Sequence, residues 1–319
     1  MNCPVCLNPS TAPVFAGSDN LFEMTPQKFN LQSCAVCHSL FLNPLPSPDE
    51  ISGFYPSQYW WSVARPGFLK RLEAIYRKIA LRDHIHFIMG ALSGSPNGKS
   101  LLDIGCGSGT LIGLLKKRGL SVLGIDTSEE ASQVAAHESE VRVIVGALEQ
   151  SAFGNSLFDV VTMFHVIEHV TNPREVLGEV QRILKPGGVL IAQVPNIDSW
   201  QFRWFGAKWY GLDVPRHVID YSQRSIVKLL EDTGFSVRRI RQFNLRDNAP
   251  ALVSSLFLRL DPLSRRIRLH HRNETESSVA SWAKHLAYMF LVLLAYPVVI
   301  LEAAAGHGAT VMIEARRRS

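Results

Sequence analysis

A chain of 319 residues exceeds one average domain, so one large core with attachments is expected. Its hydrophobic share of 46% is ordinary for a globular protein that buries a sizeable core. The net charge of +5 permits an acidic partner, but no long basic run precedes the C-terminus, so charge alone does not argue for nucleic acid.

The opening "MNCPVCLNPS" has neither a basic n-region nor an apolar h-region, so a cytoplasmic chain with reduced thiols is expected. Residues 1–48 are rich in Cys, Pro, Ser and Asn and predict a small loop-and-hairpin module. Cys3, Cys6, Cys34 and Cys37 form two Cys-x-x-Cys pairs separated by 27 residues. Four thiolates so spaced suit tetrahedral, structural Zn2+, and a module without a core would draw its folding energy from the ion. His38 is expected to be a neighbour of that centre and not a ligand.

Residues 49–95 predict a helical connector, with Leu69, Leu72, Ile75, Tyr76 and Ile79 along one face. After the linker "SGSPNGKS", short apolar runs alternate with amphipathic helices. "SLLDIG", "SVLGID", "VRVIVG", "FDVVTMFHVI" and "VLIAQVP" predict strands. "TLIGLLKKRG", "SEEASQVAAH", "PREVLGEVQRIL" and "SQRSIVKLLEDTGF" predict helices, the third stopped by "KPGG". This pattern predicts an α/β fold with a parallel sheet covered on both faces, over residues 96–248 and 305–319. "SVRRIRQF" and "GATVMIEARRR" supply the last two strands. Between them, residues 249–304 carry two strongly apolar stretches, read as two helices in a protruding hairpin.

"LLDIGCGSGT" joins the first of those strands to its helix. Gly105, Gly107 and Gly109 let a ligand approach the backbone, and the helix N-terminus offers free N–H groups. Asp126 ends the next strand, where a carboxylate can take both ribose hydroxyls of a nucleoside. A dinucleotide is the first rival ligand. Its fingerprint needs a third glycine where Thr110 stands, and Asp103 would repel the pyrophosphate. A cationic ligand gains from the same carboxylate: opposite charges at about 4 Å are worth roughly 4 kcal/mol at a surface-like dielectric. S-adenosylmethionine, with a sulfonium, an ammonium and a ribose, meets these conditions.

"LLDIGCGSGT", "GIDTSEEA", "VGALEQSAFGNSLFDVVTMFHVIEHV" and "ILKPGGVLIAQVPN" resemble, in order, the successive motifs of class I S-adenosylmethionine-dependent methyltransferases. The resemblance runs from about residue 99 to 196 and implies a doubly wound, Rossmann-like sheet. It implies that Asp103, Gly105, Gly107 and Gly109 hold the methionine end, Asp126 the ribose, and Ala147, Leu148 and Glu149 the adenine. Cys106, Thr127 and Phe164 complete the expected cofactor-binding set, with Cys106 a small side chain and not a nucleophile.

"HVIEHV" places His165, Glu168 and His169 beyond the fourth strand, at the edge where open sheets bind ligands. The stretch resembles that of ubiquinone-biosynthesis O-methyltransferases and small-RNA 3′-end methyltransferases, where Glu-x-x-Glu-His helps to bind a divalent metal. Here His165 replaces the first Glu, which disfavours a hard, oxygen-loving ion. Three readings stay open: His165 or His169 is a general base, the trio binds metal together with His217, or the residues line the pocket and satisfy the turn.

"SWQFRWFGAKWYGLDVPRH" brings Trp200, Phe202, Trp204, Phe205, Trp209 and Tyr210 together as an acceptor lid or as packing, with Arg203, Lys208 and Arg216 suited to phosphate or carboxylate. A four-cysteine module followed by a "YPSQYW"-like stretch resembles bacterial methyltransferases that include sugar C-methyltransferases, so Tyr55, Tyr59 and Trp60 either cover the acceptor or pack on the first helix.

Residues 285–301 contain no Asp, Glu, Lys or Arg, at the lower limit for a membrane span. A single crossing would strand the last sheet strand. Residues 250–303 are therefore expected to meet the inner membrane surface, a second subunit in a homodimer, or their own core.

The expectation is methyl transfer to an oxygen of a small or lipid-linked acceptor, such as a sugar, glycolipid or quinone precursor. Alternatives are C-methylation of a nucleotide-linked deoxysugar, a nucleotide-binding oxidoreductase, and an RNA-binding zinc protein. The N-terminal module lacks a concentrated basic face, which disfavours nucleic acid.

Overall fold

The computed structural model describes residues 2–55 and 79–318. The chain folds as two compact units: Met1–Tyr59, Pro195–Ser225 and Arg246–Val311 form the first, and Trp60–Val194, Ile226–Leu245 and Met312–Ser319 the second. Tyr59, Trp60 and the predicted helical face from Leu69 to Tyr76 lie outside the described residues.

The second unit is built on a seven-stranded sheet. Its strands are β4 (Ser100–Ile104), β5 (Ser121–Asp126), β6 (Val143–Val145), β7 (Phe158–Phe164), β8 (Leu184–Pro195), β10 (Phe235–Arg241) and β11 (Thr310–Arg317). Their order is β10-β11-β8-β7-β4-β5-β6. The pairs β4–β5, β4–β7, β5–β6 and β7–β8 are parallel, and β10–β11 is antiparallel. Helices α3 (Thr110–Lys116), α4 (Glu129–Ser139) and α5 (Pro173–Ile183) make the crossovers. From β4 the chain steps outward through α3 and α4 to β5 and β6, then returns to add β7 and, through α5, β8. Right-handed crossovers in opposite directions put α3 and α5 on opposite faces of the sheet. The reversal of strand order between β4 and β7 opens a crevice at their carboxyl ends.

Burial follows from this layering. On one face Leu101, Val160, Val189, Ile191 and Met312 pack with Ile85 and Ile88 of α2 (Arg82–Ala91) and with Ile112 and Leu115 of α3. Side chains alternate along a strand, so Leu102, Val161 and Leu190 point to the other face, where α5 is amphipathic with Val176, Leu177, Val180 and Ile183 buried. Lys185, Pro186 and Gly187 belong to β8 itself, with Gly187 at φ +72°, so helix gives way directly to strand.

The first unit carries a second sheet, in the order β1 (Thr11–Ser18), β2 (Lys28–Cys34), β3 (Leu40–Leu42) and β9 (Ile219–Asp220). All three pairings are antiparallel. The predicted hairpin is present, and β9 is an addition: "VID", far away in sequence, closes its edge. Helix α1 (Pro48–Gly53) follows, opened by a capping box in which Ser47 and Glu50 satisfy each other's backbone N–H groups.

The segment expected as a two-helix hairpin is three helices: α8 (Asn248–Leu256), α9 (Pro262–His271) and α10 (Ser278–Ala304). The basic stretch between the two apolar runs is itself helical, because Pro262 stands at its first turn and Asp261 caps it by accepting the Ser264 N–H at 2.7 Å. α6 (Trp200–Phe205) and α7 (Gln223–Asp232) complete the helices used below.

Candidate active site

The loop after β4 is held by its own backbone and by the neighbouring strand. The N–H groups of Gly105 and Cys106 both donate to the Ile125 carbonyl, at 2.8 and 3.2 Å. Gly105 sits at φ +68° and Gly109 at φ +66°, in the left-handed region that favours glycine. Space is also denied to a side chain there: a Cβ on Gly105 would meet Val166 at 2.5 Å, and one on Gly109 would meet Val141 at 2.7 Å.

Two carboxylates are buried beneath this loop. Asp126 accepts the Gly107 N–H at 2.8 Å through one oxygen and the Ser128 N–H at 2.9 Å through the other. Burial pushes its carboxyl above the usual range, against the two N–H groups that lower it. Asp103 accepts the Thr162 hydroxyl at 2.6 Å. Cys106 registers the resulting field. Its thiol is pushed well up, first by burial and then by the charges of Asp103 and Asp126, so it stays protonated and is no nucleophile. The loop is thus a glycine-lined stretch of backbone with two buried carboxylates behind it. It suits a ligand with positive charge and resists a phosphate.

Around it, Thr127 is exposed just after Asp126. Ala147 and Glu149 flank the buried Leu148 on a 3-10 turn, Leu148–Gln150, and Glu149 faces solvent. That turn is anchored by the Gly146 N–H, which donates to the Asp126 carbonyl at 2.9 Å. Phe164 ends β7 and packs edge-on against His84 of α2, ring centroids 4.9 Å apart.

Immediately after β7, His165 adopts φ +56°, a conformation uncommon outside glycine. Its backbone N–H donates to the Gln193 carbonyl of β8 at 3.0 Å. Its ring bridges two buried side chains: Nδ1 lies 3.1 Å from Glu168 Oε1, and Nε2 lies 2.7 Å from the Gln193 side-chain nitrogen. Glu168 is fully buried, whereas a quarter of the His165 side chain reaches the surface. A buried carboxylate facing Nδ1 favours the tautomer that carries its proton there and leaves Nε2 with a lone pair. Glu168 and His169 share the 3-10 turn Ile167–His169, and their ligand atoms approach within 4.8 Å. His217 belongs to the first unit. There its Nδ1 lies 3.0 Å from the Gly211 carbonyl and 3.7 Å from Asp220.

Sequence reasoning singled out neither Gln193 nor Thr162. Each is a buried polar residue within the apolar carboxyl-terminal half of its strand, which is the signal that could have marked them.

The four cysteines of the first unit converge. Cys3 Sγ lies 3.5 Å from Cys37 Sγ, Cys6 Sγ lies 3.5 Å from Cys34 Sγ, and all four sulfurs are mutually within 4.8 Å. Zn–S bonds of about 2.3 Å imply a tetrahedron with edges of about 3.8 Å, so the spacing fits the ion. The Val36 N–H donates to Cys34 Sγ at 3.4 Å, and the Ser39 hydroxyl lies 3.2 Å from Cys37 Sγ. The hydrogen bond between Cys3 and Cys37 lowers the Cys3 thiol and raises that of Cys37, as in a thiol–thiolate pair that shares one proton.

The aromatic insert divides. Trp209 is buried, its ring 5.6 Å edge-on from Phe202 and its N–H aimed at Gln201 Oε1 at 3.4 Å. Trp204 is half exposed and Trp200 stacks on His307. Arg216 corrects the expectation that it would meet an acceptor anion. It is fully buried, with Nη2 2.7 Å from Asp19 and 2.5 Å from Asp213, and its guanidinium lies over Phe22 at 4.3 Å. Burial opposes that charge, but the two carboxylates overcome the penalty and hold the guanidinium protonated.

Comparison with known proteins bears on the same residues. Residues 74–240, just over half of the chain, match the family described as "Methyltransferase domain". The ubiquinone biosynthesis O-methyltransferase of Aliivibrio fischeri is 32% identical over 206 residues, covering 60% of this chain and 85% of that protein. Its namesake from Pectobacterium atrosepticum is 31% identical over 155 residues, covering 45% and 64%. A 37.1 kDa protein of a Streptomyces fradiae transposon is 30% identical over 187 residues. The chain spans 54% of the last and 64% of the Pectobacterium protein. Among solved structures, an S-adenosylmethionine-dependent methyltransferase of Thermotoga maritima aligns with a TM-score of 0.48 at 19% identity, over 79% of this chain and 97% of that one.

Proposed function

Because the chain belongs to the methyltransferase-domain family and is an S-adenosylmethionine-dependent methyltransferase, we propose that it methylates an oxygen of a small or lipid-linked acceptor. The acceptor class is a hydroxylated quinone precursor, glycolipid or sugar, and the relatives named ubiquinone biosynthesis O-methyltransferase favour the first.

S-adenosylmethionine, when bound, supplies a methyl group already activated by its positive sulfur. The chain's own residues do the rest. Asp103, Gly105, Cys106, Gly107 and Gly109 hold the charged methionine end. Asp126 and Thr127 hold the ribose, and Ala147, Leu148, Glu149 and Phe164 border the adenine. Methyl transfer is an in-line displacement, so alignment and exclusion of water supply much of the rate. The remaining task is the acceptor's proton. His165 takes it at Nε2 while Glu168 holds the Nδ1 proton and stabilises the imidazolium that forms. His169 and His217 are secondary candidates for that task.

The observation that carries this reading is the 3.1 Å contact between His165 and a fully buried Glu168. An acceptor hydroxyl must displace the Gln193 amide from Nε2, which makes Gln193 a gate on the base. His165→Asn should keep cofactor affinity in calorimetry and lose turnover, measured as S-adenosylhomocysteine release with phenolic acceptors. Undiminished turnover would remove the base. Tight NAD(P) binding without heat from S-adenosylmethionine would remove the whole reading.

Cys3, Cys6, Cys34 and Cys37 would hold a structural Zn2+. With all four positions filled by thiolate, the ion would stabilise the first unit and leave no site for an acceptor.

A further inference from the structure

Helix α10 presents two unlike demands on its surroundings. One face is buried in the first unit along its length, at Tyr288, Val292, Ala295, Val299 and Glu302. Those anchors are specific. The Tyr288 hydroxyl lies 3.0 Å from Ser254 Oγ, and the Glu302 carboxylate takes the Gln201 side-chain amide at 2.9 Å and the Gln201 backbone N–H at 3.1 Å. The opposite face is exposed and apolar. Val279, Leu286, Leu293 and Ile300 recur every seven residues there, with Leu286 and Leu293 61% and 63% exposed.

A seven-residue repeat could serve a second helix, but the width of the surface argues otherwise. A coiled-coil seam is a narrow stripe flanked by charged positions. Here Phe290, Leu294 and Leu301 extend the exposed apolar surface to the side, and residues 285–301 contain no Lys, Arg, Asp or Glu. Seventeen residues give about 25 Å of uncharged helix. Such a helix, apolar all round with only one face covered, matches hydrocarbon better than a protein partner.

Charge at the helix's approach points the same way. Residues 257–301 hold six Lys and Arg against three Asp and Glu, and the Lys and Arg precede residue 285. Arg265 and Arg268 are mostly buried and pair with Glu276 and Glu23, whereas Arg272 and Lys284, also paired with those acids, keep about half of their side chains exposed, and Arg259 is exposed ahead of α9. Leu256 and Phe257 are exposed beside Arg259. A crossing is excluded by the anchors: both Tyr288 and Glu302 are packed in one folded unit, and β11 begins six residues after α10 ends.

We propose that the exposed face of α10 lies in the plane of an anionic lipid surface, with the exposed Arg259, Arg272 and Lys284 at the headgroups. This inference does not rest on the choice of methyl acceptor.

The test uses the full-length protein and flotation with vesicles of phosphatidylglycerol and phosphatidylethanolamine, against vesicles of phosphatidylcholine. Wild type should float with the anionic vesicles, more weakly with the neutral ones, and less as salt is raised. The double variant Leu286→Glu, Leu293→Glu should float at least tenfold less while keeping its circular dichroism and its S-adenosylmethionine affinity. Leu286→Ser, Leu293→Ser serves as the second variant if the first misfolds. Wild type failing to float, or both variants floating as well as wild type, would overturn the proposal. So would a wild-type dimer that ignores vesicles and is split by these substitutions, which would assign the face to a second copy.

Discussion

Arg216→Met separates a framework role from an acceptor-binding role. The guanidinium is fully buried: Nε donates to Asp213 at 2.8 Å, Nη2 to Asp19 at 2.7 Å, and Nη1 to the Phe54 carbonyl at 3.1 Å. Methionine keeps much of the volume but leaves two carboxylates in the interior without their cation. Breaking a buried pair in this way costs about 3–5 kcal/mol, and the lost stacking on Phe22 adds about 1 kcal/mol. The sum is about 4–6 kcal/mol. At about 2–4 °C per kcal/mol for a unit of this size, the thermal midpoint of the first unit should fall by roughly 10–20 °C. Scanning calorimetry reads that directly. Adding Asp19→Asn and Asp213→Asn should recover most of the loss, because the penalty belongs to the orphaned charges. A single variant that loses under about 1 kcal/mol, while KM for an acidic acceptor rises tenfold, would refute the framework role.

Glu168→Gln should lower turnover by about 10²–10⁴-fold, the usual range for general-base assistance, and should shift the acidic limb of the kcat profile; an unchanged profile would leave Glu168 as packing. Asp126 carries a raised carboxyl value, so its proton binds more tightly to the folded chain. Its contribution to stability is full at low pH and is lost as pH rises through that value. With Asp126 assigned to the ribose as proposed, S-adenosylmethionine affinity should run the other way and weaken as pH falls through that raised value, because the carboxylate becomes protonated; calorimetry showing a flat affinity would contradict this. Chelation, or Cys34→Ser with Cys37→Ser, should unfold the four-stranded sheet, and elemental analysis of the untreated protein should give about one zinc per chain; a metal-free protein with an unchanged melting profile would exclude the ion.

The parts of the site that were legible in the sequence are those held by local spacing. Strand, glycine turn and helix follow one another within "SLLDIGCGSGTLIGLL", so the loop and its acids could be placed from residue order. The two Cys-x-x-Cys pairs are similar: each pair is local, and only their joining is long-range. His165 and Glu168 are three residues apart, within one turn of chain, and the 3.1 Å contact lies within that short reach.

What the sequence alone determined, then, is the doubly wound sheet and the glycine loop with Asp103 and Asp126 beside it, because periodicity and turn chemistry act over a few residues. Tertiary structure decided which distant groups complete them. Gln193 faces His165 across two strands, and Thr162 meets Asp103 across 59 positions. β9 joins an N-terminal sheet, and Asp19 captures an arginine 197 residues away. Tertiary structure also chose which side of α10 is covered. A helix apolar on all faces carries no periodic signal for its orientation, so only packing against Ser254 and Gln201 could leave Leu286 and Leu293 facing outward.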